Sequence, residues 1–80
     1  MDITVVLDPS MTGNSTGGGK RESVGLISID PNYPLREQRE TVIYEGLGLL
    51  FDNIISHEML EDAAGTLNGL LDQWEGATNG

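Results

Sequence analysis

The residues able to do acid–base or ligand chemistry lie in two short stretches. Glu37, Glu40 and Glu45 fall close together, and two such carboxylates are the pair a glycosidase uses. That reaction needs a deep cleft between them, which 80 residues hardly build. His57 is the only histidine and the chain has no cysteine. A thiolate zinc site, a disulfide framework and a cysteine nucleophile are therefore excluded. No serine stands at a recognisable triad spacing from His57, so it reads as an exposed residue in the first turn of a helix. Gly17-Gly18-Gly19-Lys20 suggests a loop that cradles phosphate. The spacing denies it, because Asn14 stands where the first glycine belongs and Arg21 where Ser or Thr belongs. The segment after Arg21 also reads as a strand, whereas that motif opens a helix.

Charge is the broadest signal. There are 13 acids against four bases, a net charge of -9, which argues against direct binding to nucleic acid or to an anionic membrane. The imbalance grows along the chain: from Gly46 onward Asp52, Glu58, Glu61, Asp62, Asp72 and Glu75 meet no Lys or Arg at all. Such a face either solubilises the protein or captures a basic surface on a partner. No apolar run approaches the ~18 residues of a membrane span. Met1-Asp2-Ile3-Thr4 lacks the basic start of a secretion signal, so the expected compartment is the cytoplasm. The sequon Asn14-Ser15-Thr16 is then idle. No cofactor is expected.

The elements that position these residues follow from periodicity. Residues 2–8 alternate, with Ile3, Val5 and Leu7 on one face, as in a half-buried strand ended by Asp8-Pro9. Residues 9–21 are small, polar and rich in glycine, and read as a flexible loop. Lys20 and Arg21, half of the chain's bases, would ride on it as a docking arm. Residues 22–30 form a second strand whose apolar phase switches at Gly25, the mark of a bulge. The two strands pair antiparallel. Pro34 suits the first position of a helix over 34–52, with Leu35, Val42, Ile43, Leu47, Leu50 and Phe51 on one face. Gly46 and Gly48 inside it each cost about 1 kcal/mol relative to Ala, which points either to close backbone approach there or to inheritance from a site that lost its function. Ser56 caps a second helix over 56–75, with an apolar stripe from Met59 to Trp74 in which Leu70, Leu71 and Trp74 read as core. Residues 76–80 form a disordered tail. The fold class is α+β: one domain in ββαα order, an antiparallel hairpin with a long glycine-rich loop and then two helices. Gly65, Gly69, Leu70 and Trp74 offer a self-complementary dimer face.

One stretch carries more specific information. Ile27-Ser28-Ile29-Asp30 ends a strand, and Gln38-Arg39-Glu40-Thr41-Val42-Ile43-Tyr44-Glu45-Gly46-Leu47-Gly48 comes after it on the helix. This resembles the small phage and mobile-element zinc metallopeptidases of the minimal gluzincin type. There a strand "I-x-I-D" precedes a helix reading roughly "Q-x-E-T-(L/V)-I-H-E-x-x-H". Their second helix opens with a serine followed by acids, much like Ser56-His57-Glu58-Met59-Leu60-Glu61. The resemblance covers residues 2–75 and is specific only around 37–45. It implies that Glu45 stands at the general base, Tyr44 at the first zinc-ligand histidine and Gly48 at the second. Neither replacement serves zinc at neutral pH. The resemblance therefore implies a degenerate member, a metallopeptidase-like scaffold without its metal.

The expected function is that of a small, acidic, non-catalytic binding protein encoded by a phage. It would act in the host cytoplasm, inhibiting or retuning a host protein by occupying a basic surface, such as a nucleic-acid-binding groove. Glu58, Glu61, Asp62, Asp72 and Glu75 would form the contact face. A structural homodimer module is the alternative, and a metallopeptidase-like hydrolase the second.

Overall fold

The computed structural model describes residues 1–11, 17–51 and 54–79. Three strands precede two helices: β1 (Thr4–Leu7), β2 (Gly19–Glu22), β3 (Leu26–Ile29), α1 (Leu35–Phe51) and α2 (His57–Asn79). The α+β class and the strands-then-helices order are as the sequence indicates. The sheet, however, is three-stranded and mixed, in the order β1-β3-β2.

The expected antiparallel hairpin of 2–8 with 22–30 is thereby corrected. β1 runs parallel to β3, with Thr4 opposite Leu26 and Leu7 opposite Ile29. The strand antiparallel to β3 is β2, with Lys20 opposite Ser28 and Arg21 opposite Ile27. β2 occupies the end of the expected loop. Its sequence, Gly-Lys-Arg-Glu, has no apolar alternation, so periodicity does not reveal it. After Leu7 the chain makes a 3-10 turn at Pro9–Met11, where the Ser10 amide donates to Asp8 Oδ1 at 3.0 Å. Met11 is buried. The middle of the expected loop, residues 12–16 with the sequon, lies outside the described residues, as do the expected helix end at 52–53 and Gly80.

The phase switch at Gly25 is a hairpin turn and not a bulge. Gly25 has φ +96°, its amide donates to the Glu22 carbonyl at 2.9 Å, and its carbonyl accepts from the Thr4 amide at 2.8 Å. A Cβ there would lie 2.3 Å from the Asp2 carbonyl oxygen. The turn thus both reverses the chain and lets β1 close against it.

α1 packs on β2 and β3, and α2 packs on α1. β1 therefore overhangs: Val5, Val6 and Leu7 are exposed, which corrects the half-buried strand. Ile27, Ile29, Met11, Leu60 and Ala64 form the apolar core. α1 begins after Pro34, and the Gln38 side-chain amide donates to the Tyr33 carbonyl at 2.6 Å, clasping the preceding turn. Its buried positions are Glu45 and Gly48, while Leu35, Leu50 and Phe51 of the expected apolar face are exposed. Ser56 caps α2 as expected, its hydroxyl accepting from the Met59 amide at 3.2 Å. α2 continues to Asn79, which corrects the tail over 76–79. Thr78 supports this last turn, its hydroxyl donating to the Trp74 carbonyl at 3.0 Å. Among the described residues no helix is long and apolar enough to cross a membrane.

Gly25→Ala pairs an unfavourable φ with a steric clash, and should cost about 2 kcal/mol of stability. Urea unfolding of the variant beside the wild type measures this.

Candidate functional site

The register of β2 on β3 decides where its two bases go. Residues paired across a ladder share a face. Arg21, opposite Ile27, therefore joins the face that meets α1, and exposed Lys20, opposite Ser28, takes the other. The expected docking arm does not form as one unit, since both residues are fixed in a strand and diverge.

Arg21 reaches α1 at Gly48. A Cβ at Gly48 would lie 2.3 Å from Arg21 Cζ and 2.6 Å from its Nε. The glycine is a notch, and the guanidinium sits in it. One turn earlier, Glu45 Oε1 accepts from Arg21 Nη1 at 3.4 Å. Arg21 Cζ also lies 5.8 Å from the centre of the Tyr44 ring, within cation–π range. Tyr44, Glu45 and Gly48, the three motif positions, thus all meet one arginine from the sheet.

Beside this contact lies a cleft of about 520 Å³ between β2, α1 and the start of α2, lined by Arg21, Glu40, Tyr44, Glu45, His57 and Glu61 among others. Tyr44 Oη bonds His57 Nδ1, and His57 Nε2 lies 3.0 Å from Glu61 Oε1. In the neutral ring both contacts are satisfied when Nε2 carries the proton: the Tyr44 hydroxyl then donates to Nδ1 and Nε2–H to Glu61. This chain ties the first turns of α2 to α1. His57 and Glu61 are about two-thirds exposed (68% and 64%), so water competes for both.

Glu45 is buried (6% exposed). Burial pushes its carboxyl above the usual 4.5, and Arg21 offsets this only in part. A divalent cation does not fit. Gly48 offers no ligand atom, the guanidinium already fills the space beside it, and no group of three or more His, Cys, Asp or Glu among the described residues is placed to hold a metal.

The expected acidic face divides in two. Asp72 and Glu75 are internal partners of α1: Arg36 Nη2 meets Asp72 at 2.7 Å, Arg39 also pairs with Asp72, and Arg39 Nη1 meets Glu75 at 2.8 Å. The hydrogen bond from Arg36, aided by Arg39, holds the Asp72 carboxyl below the usual 3.8. At the centre of this clasp Asn68, fully buried, donates to the Arg36 carbonyl at 3.2 Å and accepts from Arg39. Sequence reasoning missed the clasp. Its signal was a matched spacing, bases at 36 and 39 facing acids at 72 and 75. Glu58, Glu61 and Asp62 remain outward, and none meets a Lys or Arg of this chain.

The expected dimer face also separates. Gly65 looks toward α1, a Cβ there lying 3.9 Å from Glu40 Oε1. Leu70 and Trp74 are exposed, and at about 100° per residue they project well away from Gly65 and Gly69. The reading of Leu70, Leu71 and Trp74 as core is likewise corrected. No family model, curated protein or solved structure matches this chain.

The two shifted carboxyls predict opposite pH effects. Protonating Glu45 favours the fold, so its contribution is full below about pH 4.5 and lost as pH climbs through the raised value. Glu45→Gln should therefore melt a few degrees higher near pH 7, with the gain vanishing below about pH 4.5. Asp72 stabilises above its unfolded value, and its contribution fades as pH falls through the lowered folded one. Asp72→Asn should melt lower near pH 7 and converge with the wild type only in strong acid. Melting curves across that range test both.

Proposed function

We propose that this chain is a small acidic binding protein that performs no chemistry of its own and occupies a basic surface on another macromolecule. The observation that carries this is the head of α2. Glu58, Glu61 and Asp62 project into solvent there, on a helix without Lys or Arg, and all four bases of the chain lie elsewhere, on β2 and α1. An unbalanced acidic face accelerates and orients encounter with a basic one. The cleft supports a non-catalytic role, since Glu45, at the general-base position of the metallopeptidase pattern, is held by Arg21 instead of facing a metal-bound water. The pattern over residues 27–48 supports a phage-derived, degenerate scaffold that blocks or retunes a host protein in the host cytoplasm. The partner surface is basic, such as a groove that otherwise holds nucleic acid.

Capture from bacterial lysate tests this with paired conditions. The wild type should retain a defined set of proteins at about 50 mM salt and lose it at about 500 mM, where charges are screened within a few ångströms. The triple variant Glu58→Lys, Glu61→Lys, Asp62→Lys should fail to retain that set at either salt. Equal retention by the triple variant would overturn the proposal.

A further inference from the structure

Three carboxylates line the cleft between β2, α1 and the head of α2: Glu40 and Glu45 from α1, and Glu61 from α2. Its lining runs from buried Glu45 and Ala64, past half-buried Glu40 and Tyr44, to an exposed rim of His57 and Glu61. Neither Glu40 nor Glu61 meets a Lys or Arg among the described residues. Arg21 is the one base in the lining, and Glu45 and the Gly48 notch already engage it. Lys20 stands on the opposite face of the sheet. Glu45 is the decisive group. Its side chain is only 8% exposed, and among the described residues its one polar contact is the long 3.4 Å bond from Arg21 to Oε1. Oε2 receives no bond from these residues. Since no fully enclosed side-chain oxygen among them lacks a partner, Oε2 is open to the cleft that Glu45 lines. A carboxylate has about four acceptor positions, and one so far withdrawn from water is costly while they stand empty.

These groups select the ligand. A phosphate or carboxylate would meet three like charges. A single metal ion fails because the acids are not grouped closely enough to hold one. Carboxylates too dispersed for a point charge still suit a planar group with five N–H donors fanned around its edge. The cleft, about 520 Å³, has room for a whole side chain. The fold already displays the mode: Arg21 sets its guanidinium against Glu45 with the Tyr44 ring centre 5.8 Å away. We propose that the cleft receives a second guanidinium, that of an arginine side chain on the basic partner, its N–H groups shared among Glu40, Glu45 and Glu61. This rests on the binding function proposed above and adds an anchor to it. The outward acids steer the encounter, and the cleft then holds one arginine of the partner surface.

Titration of the isotope-labelled protein, followed by NMR, tests this. The probe is the capped tripeptide glycyl-arginyl-glycine. One twin carries citrulline, which keeps the shape and loses the charge, and another carries lysine, which keeps the charge and loses the planar fork. The arginine peptide should move the backbone amide signals of Tyr44, Glu45 and Glu61 and saturate near about 1 mM. The citrulline twin should bind at least about tenfold more weakly, and the lysine twin about threefold. Glu40→Gln, which keeps an acceptor for Asn68, should weaken the arginine peptide about fivefold. Glu61→Gln, at an exposed position, should do the same. Glu22→Gln removes the same charge on the opposite face of the sheet and should change binding less than about twofold. Equal binding of either twin, or an equal loss in Glu22→Gln, would overturn the proposal. Binding of free agmatine without binding of the arginine peptide would assign the cleft to a small molecule and overturn the partner arginine. If the arginine peptide does not bind, the anchor is overturned, while the acidic face stands or falls separately on its salt-sensitive capture from lysate.

Discussion

The contact between Arg21 and the notch at Gly48 organises the molecule. It joins an edge strand of the sheet to the middle of α1, the element on which β2, β3 and α2 pack. A helical glycine is unfavourable by about 1 kcal/mol, and here the cost has a local return: a guanidinium lies against bare backbone and reaches a buried carboxylate one turn away. The arrangement is self-limiting. Any side chain at Gly48 expels Arg21, and without Arg21 the Glu45 carboxylate is left uncompensated in the interior. Burial already outweighs the help Arg21 gives to Glu45, so the pair acts as a positioning device more than as a source of net stability.

The second joint is polar as well. α1 and α2 meet through Leu60 and Ala64 at one end and through the Asn68, Arg36, Arg39, Asp72 and Glu75 clasp at the other. A chain with so small a core holds its second helix largely by charge-assisted hydrogen bonds, which are directional and fix one alignment. The clasp also redistributes the acids. It consumes Asp72 and Glu75 within the protein and leaves Glu58, Glu61 and Asp62 at the head of α2 as outward negative charge. The separation of an acidic end from an internally neutralised end along one helix gives the surface a direction.

Both helices were legible in the sequence to within a residue or two at their starts, because Pro34 and Ser56 are local signals whose chemistry does not depend on the rest of the fold. The class was legible for the same reason. The sheet was not. β2 is polar throughout, and a strand covered on one face by an arginine rather than a leucine has no period to detect. Without β2, the two apolar segments could only be joined to each other, and the parallel β1–β3 pairing was invisible. Local patterning likewise placed Leu70 and Trp74 in the core, because amphipathic spacing states which residues share a face and not whether a neighbour exists to cover it. The acidic run past Gly46 looked uniformly unbalanced along the chain, and only the tertiary approach of Arg36 and Arg39 shows which of its members are free. At the cleft, Tyr44, Glu45 and Gly48 were singled out as a group only by the metallopeptidase resemblance. That an arginine distant in sequence fills the space between them follows from strand register alone.

The most direct test of this organisation is a double-mutant cycle on Gly48→Ala and Arg21→Ala, read by urea unfolding near pH 7. If the guanidinium occupies the notch, Gly48→Ala should bring no stabilisation while Arg21 is present. It should add about 1 kcal/mol, the ordinary helical preference of alanine, once Arg21 is removed, for a coupling of about 1 kcal/mol or more. Additive effects, with Gly48→Ala equally stabilising in both backgrounds, would mean that Arg21 does not sit against α1 at Gly48 and would contradict the central claim.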